Sequence, residues 1–189
     1  MFTPRDLELK AVCAKVRTIT DQQLASVFYP DQKNPAKNLR RRVRKLGWTL
    51  QRVTTRRVAL AEPLHASGDS PDFPRVSYLA AKRYQAAPMV PTTIIQIPGA
   101  RSVRPSEITH DLMLADYYFA NFHPDSEGRF ICEDIAFQGN QVRADAVILN
   151  LATLEIDHVI EVIGGSYSAQ KIESIWTHWE SRKIPVVLA

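Results

Sequence analysis

The segment Asn34-Pro35-Ala36-Lys37-Asn38-Leu39-Arg40-Arg41-Arg42-Val43-Arg44-Lys45-Leu46-Gly47 reads as one helix with a clear start and stop. Proline suits the first helical position, where its missing N–H would have had no partner. Glycine past the last turn ends the helix. Leu39, Val43 and Leu46 recur at i, i+4 and i+7 and form a buried stripe. Lys37, Asn38, Arg41, Arg42 and Lys45 avoid that stripe, and Arg40 and Arg44 stand near its border.

The charge around this helix is one-signed. From Gln32 to Ala61 there are ten basic residues and no acid: Lys33, Lys37, Arg40, Arg41, Arg42, Arg44, Lys45, Arg52, Arg56 and Arg57. A solvated helix ordinarily mixes both signs, so this bias points to a polyanion. From Ser106 to the end the balance reverses, with thirteen acids against five bases. The net charge of +4 therefore hides two oppositely charged halves, which suggests two separate tasks.

Two further helices precede the basic one. Thr3-Pro4-Arg5-Asp6 has a capping threonine, and Leu7, Leu9, Val12, Cys13 and Val16 follow near helical spacing. Thr20 can cap a second helix, Asp21 to Phe28. Beyond the basic helix, Trp48 to Leu60 alternates as strands do, with Val53, Val58 and Leu60 among threonines and arginines. Three helices with a basic third, then a basic ribbon, form the arrangement of a winged helix-turn-helix. The third helix would enter the major groove, and Arg52, Arg56 and Arg57 would reach the backbone or minor groove from the wing. Arginine suits both tasks, because its planar fork binds phosphates and base edges in pairs of hydrogen bonds. The expected DNA-binding residues are Lys37, Asn38, Arg40, Arg41, Arg42, Arg44, Lys45, Arg52, Arg56 and Arg57.

The middle of the chain is punctuated. Glu62 to Pro74 reads as a loop, and Val76 to Gln85 as a short strand or helix. Four prolines (Pro88, Pro91, Pro98 and Pro105) surround a short strand, Thr92 to Ile97, so 86–105 reads as a connection between domains. The second half runs helix (Ile108 to Phe122), strand (Phe130 to Gln138), strand (Gln141 to Leu151), strand (His158 to Ile163), helix (Ser168 to Arg182), strand (Ile184 to Leu188). The fold expected is α+β: a winged helix-turn-helix in 1–85, the connection, and an α-β-β-β-α-β domain in 106–189.

That second half places Asp145 in one strand and Glu161 in the next. Two convergent carboxylates can hold Mg²⁺ beside a scissile phosphate. The order of elements and these two acids resemble the PD-(D/E)XK nuclease core, the restriction-endonuclease-like fold. Two positions depart from it: Ala144 stands where the motif has proline, and Ile163 where it has lysine. Isoleucine neither polarises water nor neutralises charge. Lys171 in the following helix is the candidate for a displaced ammonium, and Glu133, Asp134, His110 and Asp111 are candidate supplementary ligands.

Taken together, the two halves are similar to the replication-relaxation family of plasmids and other mobile elements, a resemblance that covers most of the chain. The residues that carry the resemblance are Thr3-Pro4-Arg5-Asp6, Arg44-Lys45-Leu46-Gly47, His110-Asp111-Leu112, Arg143-Ala144-Asp145-Ala146, and Glu161-Val162 followed by glycines and a helix. The resemblance implies a winged helix joined to a restriction-endonuclease-like domain, with a role in plasmid replication, DNA relaxation or transfer. In place of the charged run usual after the glutamate stands Ile163-Gly164-Gly165-Ser166. The expected function is therefore a double-stranded DNA-binding regulator or accessory factor with a degenerate nuclease-like domain. A Mg²⁺-dependent DNA endonuclease using Asp145, Glu161 and Lys171 is the alternative, with Asp145 and Glu161 as metal ligands. A protein-interaction module, such as an antitoxin or phage-encoded inhibitor, is the third.

Composition narrows the remaining classes. Cys13 and Cys132 are far apart, with no Cys/His cluster, so no structural zinc is expected. No stretch approaches the roughly 18 apolar residues of a membrane span, and the first residues hold no apolar run. A cytoplasmic location is expected, with double-stranded DNA as partner, no membrane, and a homodimer left open.

Overall fold

The structure, a computed structural model, describes residues 2–16, 18–60, 64–65, 70–97, 104–121, 130–132 and 144–189. It is mixed α+β, and the chain divides into two compact units, each made of two segments.

The first unit comprises Met1–Arg57 and Met89–Pro124. It contains α1 (Pro4–Lys15), β1 (Ile19–Thr20), α2 (Asp21–Phe28), α3 (Pro35–Lys45), β2 (Thr49–Arg56), a long strand Met89–Gln96, and a helix Ile108–Asn121. Local chemistry starts α1 and α2. The Thr3 backbone N–H donates to the Asp6 carboxylate (2.6 Å) at the head of α1. Thr20 and Gln23 exchange side chain-to-backbone hydrogen bonds at the head of α2, a full capping box. At the end of α3, Gly47 takes the left-handed conformation (φ 75°) that other residues resist. Leu9 of α1, Leu24 of α2, and Leu39 and Val43 of α3 are all fully buried.

The second unit comprises Val58–Pro88 and Asp125–Ala189. Its elements are β3 (Leu64–His65), α4 (Phe73–Ala86), β5 (Phe130–Cys132), β6 (Ala146–Leu149), β7 (Ile156–Glu161), α6 (Ala169–Glu180) and β8 (Val186–Leu188). The first unit's Met89–Gln96 is β4, and its Ile108–Asn121 is α5. The second sheet has the order β3-β8-β7-β6-β5, in which only the β7–β8 pair is parallel. Val147, Val159, Ile163 and Val186 pack with Ile172 and Trp176 of α6 and with Ala80 of α4. Phe73 meets Trp176 edge to face (6.3 Å between centroids), and the Ser77 hydroxyl donates to the Tyr167 carbonyl (2.7 Å). Gly165 has no room for a side chain, because a Cβ there would lie 2.3 Å from the Cβ of Tyr84.

The division differs from the expected one at 85/86 and 105/106. The supposed connection contains β4, which lies between β1 and β2 in the three-stranded sheet β1-β4-β2. Its pairing with β2 is continuous from Thr49↔Gln96 to Arg56↔Met89. Proline misled because it usually interrupts strands. Here β1 pairs with Ile94 and Ile95 only, so among the described residues no strand pairs with β4 at Pro91 on that side. The helix expected to begin the second domain, α5, belongs to the first: Ile108 and Leu112 pack against Ile94. The element expected as a strand or helix after Val76 is α4, and it belongs to the second unit. The second unit is thus inserted between β2 and β4 and completed by the C-terminal segment.

Candidate nucleic-acid interface

Helix α3 is amphipathic in an unusual way, with one apolar face and otherwise nearly all cations. Leu39 and Val43 are completely buried, which fixes the rotation of the helix. Lys37, Arg41, Arg44 and Lys45 then fall at i, i+4, i+7 and i+8 on the exposed side. None of the four enters an ion pair among the described residues. Arg44 and Lys45 also occupy the last turn, where cations oppose the partial negative charge of the helix end.

The flanking arginines behave differently. Arg42 reaches back to α1, where its Nε donates to Asp6 Oδ1 (2.5 Å) and its Nη2 donates to Asp6 Oδ2. Asp6 is 1% exposed, and the Arg42 guanidinium holds its carboxyl well below the usual carboxylate range. Arg40 pairs with Asp21 at the head of α2 (3.3 Å). Burial raises the pKa of Asp21, and Arg40 offsets part of that rise. Asp6 and Asp21 therefore tie α3 to α1 and α2. The sequence marks both acids only as members of helix starts, and nothing there links them to particular arginines.

The strand residues divide in the same manner. Arg52 is exposed on β2. Arg56 is half-buried and engaged. Arg57, where the chain leaves the first unit, pairs with Asp116 of α5 (3.2 Å), and Asp116 also accepts from Gln23 Nε2 (2.6 Å). Asn38 donates to Gln32 (2.7 Å). Of the ten residues expected at DNA, Lys37, Arg41, Arg44, Lys45 and Arg52 are exposed cations with no ion pair among the described residues. Arg40, Arg42 and Arg57 are committed within the unit.

The carboxylate pair has the opposite character. Asp145 precedes β6 by one residue instead of lying within it, and the pairing of Ala146 with Ile160 brings it near Glu161, the last residue of β7. Asp145 Oδ2 accepts from the Val162 backbone N–H (2.7 Å). Glu161 is buried, and its Oε1 accepts from Trp179 Nε1 (3.1 Å). Lys171 stands in the first turn of α6 with Nζ 3.3 Å from the Tyr167 ring centroid. Trp179 is eight residues further along α6, so Lys171 is about 12 Å along the axis from the residue that meets Glu161. Ile163 is buried among apolar side chains. His110 and Asp111, expected as supplementary ligands, belong to the first unit, where Asp111 accepts from the Thr18 hydroxyl (2.8 Å). Glu133 and Asp134 lie outside the described residues. Among the described residues no three His, Cys, Asp or Glu side chains cluster as a metal site. Mg²⁺ favours open octahedral sites of carboxylates and water, and these two engaged acids do not by themselves fit it.

Cys13 is a buried thiol whose pKa is pushed up to about 12 by desolvation, so it is unreactive at neutral pH. No helix among the described residues is long and apolar enough to cross a membrane. Compared with protein-family models, curated proteins and solved structures, the chain matches none.

Proposed function

We propose that this chain binds double-stranded DNA through α3, as a regulator or accessory factor in the replication or transfer of a plasmid or other mobile element. The observation that carries the reading is the stripe Lys37, Arg41, Arg44 and Lys45, exposed and without ion pairs among the described residues. Unpaired cations on one helix face repel one another, and a polyanion relieves that repulsion. At eleven residues α3 is roughly 16 Å long, a size that the ~12 Å wide major groove admits.

A winged helix is supported by the order α1-β1-α2-α3-β2-β4, with β4 between β1 and β2 and α2–α3 as the helix-turn-helix. In this proposal the wing strands β2 and β4, paired from Thr49↔Gln96 to Arg56↔Met89, are separated in sequence by a segment of the second unit. A nuclease-like ancestry for that unit is supported by the antiparallel run β5-β6-β7, followed by α6 and a β8 parallel to β7. The replication-relaxation resemblance belongs to the same proposal and rests on the short motifs quoted above.

We further propose that the second unit is catalytically degenerate, since Ile163 replaces the motif's lysine and both carboxylates accept hydrogen bonds from Val162 and Trp179. Incubating the protein with supercoiled and branched DNA and Mg²⁺ or Mn²⁺ tests this. DNA left intact is the expected result. Cleavage abolished by Asp145→Ala would establish the endonuclease reading instead. The binding proposal is tested separately by duplex titration of Lys37→Ala/Arg41→Ala, which should weaken affinity without unfolding the protein.

A further inference from the structure

Helix α4 has two faces, and only one has a partner in the described structure. Val76 and Ala80 face the second unit's core, while Arg75, Tyr78, Leu79 and Lys82 fall at i, i+3, i+4 and i+7 on the opposite side. Tyr78 is 63% exposed and Leu79 44%. An isolated surface leucine needs no explanation, but an aromatic and a leucine adjacent on one turn, bracketed by two cations, form a surface with a preferred partner. The helix from Phe73 to Ala86 contains no acid. The nearest, Asp72, caps it by accepting from the Arg75 backbone N–H (3.0 Å).

The charges discriminate between occupants. A second copy packed symmetrically on this face would bring Arg75 and Lys82 near the same cations of its partner, and Asp72, which already caps the helix, is the one acid beside them among the helix's own residues and its cap. A polyanion meets no such repulsion. In a duplex the base faces are stacked away, so an exposed tyrosine ring can stack only on an unpaired base. Cations beside the ring suit the backbone on either side of that base. We propose that the outward face of α4 binds an unpaired nucleic-acid strand, with a base on Tyr78 and phosphates at Arg75 and Lys82. This surface uses none of the residues assigned to duplex binding and stands or falls independently of them.

Fluorescence anisotropy with labelled oligothymidylate and a labelled duplex, on the full chain, tests the proposal. Tyr78→Ala should weaken oligothymidylate binding about five- to 150-fold, the range for loss of one stacked base. Tyr78→Trp should retain it. Arg75→Gln/Lys82→Gln should make the log-log salt dependence shallower by about 0.7 for each lost phosphate contact. All three variants should keep wild-type duplex affinity, whereas Arg41→Ala/Arg44→Ala should lose duplex affinity and keep oligothymidylate. Oligothymidylate affinity that is absent in the wild type, or unchanged in Tyr78→Ala and Arg75→Gln/Lys82→Gln, overturns the proposal. A wild-type dimer that Tyr78→Ala converts to a monomer, with oligothymidylate binding unchanged, would assign the face to a second copy instead.

Discussion

Helix α3 and the β6–β7 strand pair both concentrate charge of one sign, yet they differ in what the protein does with it. On α3, Lys37, Arg41, Arg44 and Lys45 face outward with no ion pair among the described residues. Just before β6 and at the end of β7, Asp145 and Glu161 are held by the Val162 N–H and the Trp179 indole. Charges left open have interactions to offer an external partner. Charges already satisfied stabilise the fold, and recruiting them for chemistry would first break those bonds. The same contrast recurs within α3, where Arg41 is open and its neighbour Arg42 is bound to Asp6.

The contrast breaks most visibly if the open stripe is removed. Replacing Lys37, Arg41, Arg44 and Lys45 together by alanine should flatten the salt dependence of duplex binding by about 0.9 per lost phosphate contact. If all four contact phosphates, affinity near ~0.15 M salt falls on the order of a thousandfold by the same relation. Circular dichroism should be unchanged, because none of the four supports the core.

Removing a committed charge should act on stability instead. Arg42→Gln leaves the buried Asp6 carboxylate without its cation. Losing the cation leaves that carboxylate uncompensated, so a lower midpoint of chemical denaturation is expected, with the second unit's core unaffected. Trp179→Phe removes one donor from Glu161 and should cost about 1–2 kcal/mol in the second unit. Loss of DNA affinity greater than loss of stability in Arg42→Gln would move that residue from the committed class to the open one.

The smallest effect concerns pH. The pKa of Asp6 is depressed in the folded state, so its contribution to stability is full above the ordinary aspartate range near ~4. It is lost as pH falls below that range and Asp6 takes up a proton. Thermal stability should therefore fall as pH drops from about 5 to about 2 in the wild type, and that part of the dependence should shrink in Arg42→Gln, which keeps only the Thr3 hydrogen bonds to Asp6. A variant that keeps the wild-type acid profile would show that Arg42 does not set the Asp6 titration.

Much of the local structure is legible in the sequence. Thr3-Pro4, Thr20 with Gln23, and Pro35 with Gly47 mark the ends of α1, α2 and α3 by chemistry that acts within a few residues. The mixed α+β class follows from the same signals. What could not be read is long-range. Nothing near Met89–Gln96 tells that it pairs with Thr49–Arg56 across an inserted segment, and Pro91 argues locally against a strand. Likewise the count of arginines in α3 was plain, but their sorting depends on Asp6 and Asp21, which fold against them from earlier helices. The Asp145–Glu161 pairing was legible from the strand order, whereas the Trp179 contact that occupies Glu161 required the packing of α6.

The central claim is that the open stripe of α3 meets phosphates. The most direct measurement is the slope of log affinity for a duplex against log salt, in wild type and in Arg41→Ala/Arg44→Ala. Two lost phosphate contacts predict a slope shallower by about 1.8, with binding weakened at every salt concentration below about 1 M. A double variant that matches the wild type in both slope and affinity would contradict the account.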